Sequence, residues 1–247
     1  MPTLLDDVES VPRRTMTLFF VIDTSASMAG NKIGAVNDAV VNVLPMLNDI
    51  SASNPDAEIK VAALEFSSGC NWLYSEPKLA NEFIWQDVTA GGLTSLGEAC
   101  TELSNKLSRS GFMKSASGSF APAIILLSDG GPTDDYRTGL SKLQGNNWFK
   151  AAIKIAIAIG DDADLDVLRE FTGNFEAVYT VHNIDALKQI IRVVAVTSSQ
   201  IGSKSCTAGI LTKQGQVIQA VNDGIEGVSG VESAANVDGS SYDDDWD

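Results

Sequence analysis

The sequence predicts a three-layer α/β domain with a mostly parallel central sheet. Two textures alternating along the chain carry that prediction. Short, continuous apolar runs of strand length fit strands buried on both faces. Between them, apolar residues recur every three or four positions, which is the stripe of a helix packed on one side. Strands separated by helices pair mostly in parallel. Size agrees: 247 residues, 44% hydrophobic and 20% charged, can bury a sizeable core and exclude wholesale disorder.

Met16–Ile22 (MTLFFVI) is the first strand. Asn31–Ile50 follows as a helix, with Ile33, Val36, Val40, Val43, Leu44 and Leu47 on one face, and Pro45 inside it predicts a kink or an early stop. Glu58–Phe66 is the next strand; Trp72–Tyr74 and Phe83–Trp85 read as a short edge strand and the approach to a loop. Thr94–Leu107 is a second helix, lined by Leu96, Ala99, Cys100, Leu103 and Leu107. Ala121–Leu127 and Ala152–Ile159 are two more buried strands. Leu165–Phe171 and Ile184–Val194 are the last helices, with a short strand, Ala177–Thr180, between them.

After Ser198 the composition turns to Gly, Ser, Asn and Asp, with only Lys204 and Lys213 as cations. Ile210–Val221, interrupted by Lys213–Gly215, reads as a weak hairpin. The expected organisation is an N-terminal arm (1–15), one α/β domain (16–197) and an acidic, largely flexible C-terminal tail (198–247). The tail ends in Tyr242-Asp243-Asp244-Asp245-Trp246-Asp247, carboxylates between aromatics that can reach a metal site or anchor in a basic groove of a partner; the plain alternative is a solubilising tail with no target.

Composition narrows the function. Lys and Arg number 17 against 32 Asp and Glu, a net charge of −15, which disfavours nucleic acid and anionic membrane and suits cations or a basic partner. A single histidine, His182, speaks against histidine-based metal sites and Ser-His-Asp triads; it reads as a surface or cap residue before the last helix. Cys70, Cys100 and Cys206 are widely spaced without a CxxC, as expected of a reducing compartment. No secretory signal is visible in Met1–Arg14, and no apolar run is long enough to span a bilayer, so the expected location is cytoplasmic.

In open α/β sheets ligands sit outside the carboxyl ends of the strands. Three loops there hold unusual polar groups. The first strand ends in Asp23-Thr24-Ser25-Ala26-Ser27, where alternation points Asp23, Ser25 and Ser27 to one side. Converging oxygens of this kind suit a hard divalent cation; the plain alternative is a serine capping the helix from Asn31. Gly91-Gly92-Leu93-Thr94 brings a hydroxyl beside glycines at a helix start, or simply an N-cap. Ser128-Asp129-Gly130-Gly131-Pro132-Thr133-Asp134 places an acid at a strand terminus, or simply a polar turn. Glu65 also ends a strand, where a loop salt bridge is the plainer reading. Trp72, Trp85 and Trp148 read as core or rim.

The three loops together resemble the von Willebrand factor A (VWA) family and its metal-ion-dependent adhesion site (MIDAS). That pattern, Asp-x-Ser-x-Ser, a loop Thr, then a loop Asp after an apolar strand, is matched by Asp23, Ser25, Ser27, Thr94 and Asp129. The order of elements over 16–197 is similar too, implying a Rossmann-like VWA domain. The SDGGPTD segment looks most like the tellurite-resistance TerY-like branch, although the cysteine-rich zinc module of some such chains is absent. The resemblance implies Mg²⁺ (or Mn²⁺ or Ca²⁺) held by these five residues and a protein partner that supplies an Asp or Glu to the ion. It implies an intracellular, non-enzymatic adaptor in stress or tellurite-resistance signalling, with a kinase or phosphatase among its partners. The alternative is a haloacid-dehalogenase-type phosphatase using Asp23; that chemistry needs an acid two residues on, where this chain has Ser25.

Overall fold

The computed structural model describes residues 13–115, 117–204 and 211–233. Its centre is a sheet of eight strands: β1 (Arg14–Asp23), β2 (Ala57–Ser67), β3 (Gly69–Trp72), β4 (Lys78–Leu79), β5 (Ala123–Ser128), β6 (Ile153–Ile159), β7 (Val178–Val181) and β8 (Val231–Ser233). They lie in the order β3-β2-β1-β5-β6-β7-β8, with β4 also on β2. The five interior strands pair in parallel, while β3 and β4 on one edge and β8 on the other are antiparallel. The expected fold class therefore holds, with a mixed rim.

Side-chain alternation explains why a single sheet supports two cores. In β1, Met16, Leu18, Phe20 and Ile22 enter one hydrophobic cluster, shared with α1 (Asn31–Ser53) and α6 (Ile184–Gly202). Phe19 and Val21 enter the other, shared with α2 (Leu96–Lys106), α3 (Tyr136–Gly145), α4 (Asn147–Ala151) and α5 (Leu165–Thr172). In β6 the isoleucines at 153, 155, 157 and 159 fill the first core, and Ala156 and Ala158 leave room for helices on the second. Both faces being covered, the apolar runs need no polar alternation.

Several local expectations are corrected. Pro45 does not stop α1, which runs unbroken to Ser53. The proline lies on the exposed face, as does Val41 one turn back, whose carbonyl loses its helical donor there and faces water instead. The helix expected from Thr94 begins at Leu96, leaving Thr94 in the loop. Helices α3 and α4 were not foreseen. The buried face of α3 is Gly139, Leu140 and Leu143, and a glycine does not register as part of an apolar stripe.

The hairpin expected over Ile210–Val221 is instead a helix, α7 (Lys213–Ile225). Thr212 is its N-cap, accepting from the Gly215 amide at 3.1 Å, so the apparent turn is a helix start. Val217, Ile218 and Val221 are buried in the α1–α6 core. The Gln214 side chain bonds both backbone groups of Lys154 on β6, at 2.8 Å each. Regular structure therefore passes residue 197: α6 reaches Gly202, and α7 and β8 complete the sheet and one helical layer. Cys206 and the acidic Tyr242–Asp247 segment lie outside the described residues.

The α2–α3 contact is a glycine-to-glycine approach. A Cβ on Gly139 would sit 2.8 Å from the Gly97 Cα and closer still to its carbonyl, and one on Gly97 would meet the Tyr136 Cα at 2.8 Å. Backbone cannot yield as a flexible side chain does, so Gly139→Ala should cost about 1–3 kcal/mol. The check is urea unfolding: a lower midpoint at unchanged slope is expected.

Candidate metal centre

Four of the five residues of the expected site, Asp23, Ser25, Ser27 and Asp129, lie at or just after the ends of two central strands, and Thr94 lies in the loop before α2. β1 ends at Asp23 and β5 at Ser128, and these strands are neighbours in the sheet, which brings Asp23 and Asp129 to the same end of the sheet. Asp23 is fully buried and bonded on both oxygens. Oδ1 accepts from the Ser25 amide at 2.8 Å, and Oδ2 accepts from the Ser128 hydroxyl at 2.6 Å. From there oxygens follow one another outward: Ser25 Oγ lies 3.0 Å from Ser27 Oγ, and Ser27 Oγ donates to Asp129 Oδ1 at 2.7 Å. Four of the five expected ligands thus form one hydrogen-bonded set.

Thr94, the fifth, is buried and held by its backbone. Its amide donates to Thr133 Oγ1 at 3.0 Å and its carbonyl accepts from the Thr133 amide at 2.9 Å. Among the described residues its hydroxyl bonds to none of the other four. The Thr94 loop is also zipped to the β1 loop, through Gly91 N–H to the Thr24 carbonyl (2.8 Å) and Ala26 N–H to the Gly92 carbonyl (3.2 Å). Gly92 is needed in this loop: its φ is +85°, and a Cβ would meet Ser68 Oγ, just after β2, at 2.7 Å. Asp134 ties the third loop to the second by accepting from the Gly97 and Glu98 amides, both at 3.1 Å, at the open N-terminus of α2.

Electrostatics favour a cation here. Burial pushes the Asp23 carboxyl above the ordinary carboxylate range, against the bonds from Ser128 and Ser25, and the nearby Asp129 charge raises it further. Two buried carboxylates side by side need positive charge. The chain supplies one itself: Lys32 Nζ lies 2.9 Å from Asp129 Oδ2, with the Asp129 side chain fully buried and that of Lys32 19% exposed. The donor set of two carboxylates and three hydroxyls, all hard oxygens, fits Mg²⁺, Mn²⁺ or Ca²⁺. Among the described residues no group of three or more His, Cys, Asp or Glu is placed to hold a metal.

Sequence reasoning missed two members of the arrangement. Ser128 was visible inside the SDGG segment but carried no assigned role. Lys32 gave no signal at all, because its pairing with Asp129 spans 97 positions. His182 is corrected: it is buried, with Nδ1 2.9 Å from Asp161 Oδ1, and the helix cap is the next residue, Asn183. Glu65 bonds Asn71 rather than a lysine or arginine. It lines a polar cleft of about 490 Å³ beside Thr24 and Glu98, and burial raises its carboxyl. Trp72 packs edge-on to Phe19 and Phe112, and Trp85 bonds Asn37, as core and rim residues do.

The von Willebrand factor type A domain family model matches residues 17–193. No curated protein matches. Among solved structures, the chain is similar to a von Willebrand factor type A protein from Catenulispora acidiphila (18% identity, TM-score 0.55, 75% of this chain and 43% of that one). It is also similar to the pilus adhesin SpaC of Lactobacillus rhamnosus GG (15%, 0.59, 76% and 31%). A third is proximal thread matrix protein 1 of the mussel byssus with a zinc-occupied MIDAS motif (14%, 0.57, 76% and 48%). The chain spans less than half the length of each, and at these identities the likeness is one of fold. Among the described residues no helix is long and apolar enough to cross a membrane.

Proposed function

The chain belongs to the von Willebrand factor type A domain family, and on that premise we propose that it is a metal-dependent protein-binding module. Asp23, Ser25, Ser27, Thr94 and Asp129 hold Mg²⁺ or a similar ion, and a partner protein completes the ion's shell with an Asp or Glu. The supporting observation is the bonded run Asp23–Ser25–Ser27–Asp129 at adjoining strand ends. When bound, the ion supplies Lewis acidity toward a carboxylate oxygen, since three neutral hydroxyls neutralise little of its charge. Ser128 and the Ser25 amide fix the Asp23 carboxylate. The loop–loop backbone bonds hold the Thr94 loop against the loop after β1.

The finer reading is a cytoplasmic adaptor of the TerY-like kind in stress or tellurite-resistance signalling, with a kinase or phosphatase as partner and no catalytic residue of its own. The SDGGPTD segment supports it, and the net charge of −15 speaks against nucleic acid and membrane partners. The phosphatase alternative is not favoured. Asp23 is buried with both oxygens engaged, a poor nucleophile, and Ser25 stands where the general acid belongs.

Calorimetric titration with Mn²⁺ or Mg²⁺ tests the site. Ser25→Ala and Thr94→Ala should each weaken binding about tenfold or more. Thr24→Ala should change it little, because the Thr24 hydroxyl bonds the Phe66 carbonyl at 3.1 Å. Equal behaviour of the three variants would remove the site. Affinity capture from lysate, with Mg²⁺ and with chelator, then tests the partner.

A further inference from the structure

We propose that Lys32 is the resident cation of the metal-free site and that a divalent ion binds in exchange for it; the inference rests on the metal-site reading above. Lys32 lies at the start of α1, two residues after Gly30, so the helix places its backbone while its four-carbon stem leaves the ammonium able to move. Its ammonium is 2.9 Å from Asp129 Oδ2, while Asp129 Oδ1 accepts from Ser27 at 2.7 Å. One carboxylate therefore links the intended ligand set to the lysine. Asp129 is buried on every side, so without a cation its charge would be stranded in a low dielectric. Lys32 relieves that cost and keeps the loop after β5 in its ligand-binding arrangement.

The same charge opposes a second cation. A single charge beside a double one at near-contact distance repels it by on the order of tenfold in affinity, even when screened as in water. The lysine thus lowers the affinity of the domain for the ion alone. A partner carboxylate restores it twice over, as a ligand to the ion and as a counter-charge for the displaced ammonium. Ion and partner then strengthen each other's binding, and Lys32 sets the size of that coupling.

The experiment is Mn²⁺ titration of the full chain, freed of metal by chelator, as wild type, Lys32→Met, Lys32→Arg and Asp23→Ala. Lys32→Met should bind Mn²⁺ about tenfold tighter or more, and Lys32→Arg within about threefold of wild type. In chelator Lys32→Met should melt below wild type, and saturating Mn²⁺ should close the gap. A second measurement needs no variant: amine-directed acylation of wild type, read by mass spectrometry, should modify Lys32 slowly in chelator and faster with Mn²⁺. Equal or weaker binding in Lys32→Met, or acylation of Lys32 indifferent to Mn²⁺, overturns the inference. If wild type binds Mn²⁺, Asp23→Ala does not, and Lys32→Met gains nothing, the lysine inference alone fails. If neither wild type nor Lys32→Met binds, the metal-site reading fails and takes the inference with it.

Discussion

Asp23→Ala should lower divalent-ion affinity at least about a hundredfold while leaving the domain folded. The loss follows from removing one of only two carboxylates in the proposed ligand set. Retention of the fold follows from the surroundings of Asp23: burial has already raised its carboxyl, so the ionised form costs stability at neutral pH. The sign can be measured in chelator. A carboxyl raised in the folded state contributes stability that is fully present below its ordinary value of 3.8 and lost as pH rises through the folded value. Asp23→Asn keeps an oxygen for the Ser25 amide and cannot ionise, so it should remove this part of the decline and equal or exceed wild type at pH 7. Paired urea titrations across pH 3 to 7 decide it. A variant that unfolds at neutral pH would mean that the carboxylate is structural and the ion a folding element.

Ending the chain after Lys204 should bring the domain close to unfolding. Helix α7 buries Val217, Ile218 and Val221 against α6, and β8 covers the edge of β7 through Tyr179–Ser233 and Val181–Val231 pairs. Three buried aliphatic side chains at about 1.5–3 kcal/mol each come to on the order of 5 kcal/mol, comparable with the whole stability of many domains. The Gln214 clamp on Lys154 and the Tyr179–Asn222 hydrogen bond at 3.1 Å are lost with them. Thermal unfolding by circular dichroism of the shortened and full chains is the check, and coincident melting curves would show that α7 and β8 contribute nothing.

The sequence by itself determined the sheet's buried strands and four of the seven α-helices described, α1, α2, α5 and α6, and it offered five oxygen-bearing loop residues as ligands. These are local properties: a seven-residue run such as Met16–Ile22, apolar but for Thr17, has no stable place except between two layers, and an acid directly after such a run stands at the carboxyl end of the sheet. Helix α3 was hidden because its packing face contains Gly139, whose value lies in what it lets approach rather than in what it buries. Helix α7 was hidden because Thr212, Lys213 and Gly215 spell a turn as readily as a helix start; burial of Val217 and Val221 against α6 selected the helix. Only the tertiary structure joined Ser27 to Asp129, 102 positions apart, and set Lys32 against the same carboxylate. The ligand types could be read from the chain because each loop carries its own oxygens. The charge balance of the site could not, because a buried carboxylate takes its counter-ion from whatever the fold brings near, and here that is a lysine on α1, 97 positions away.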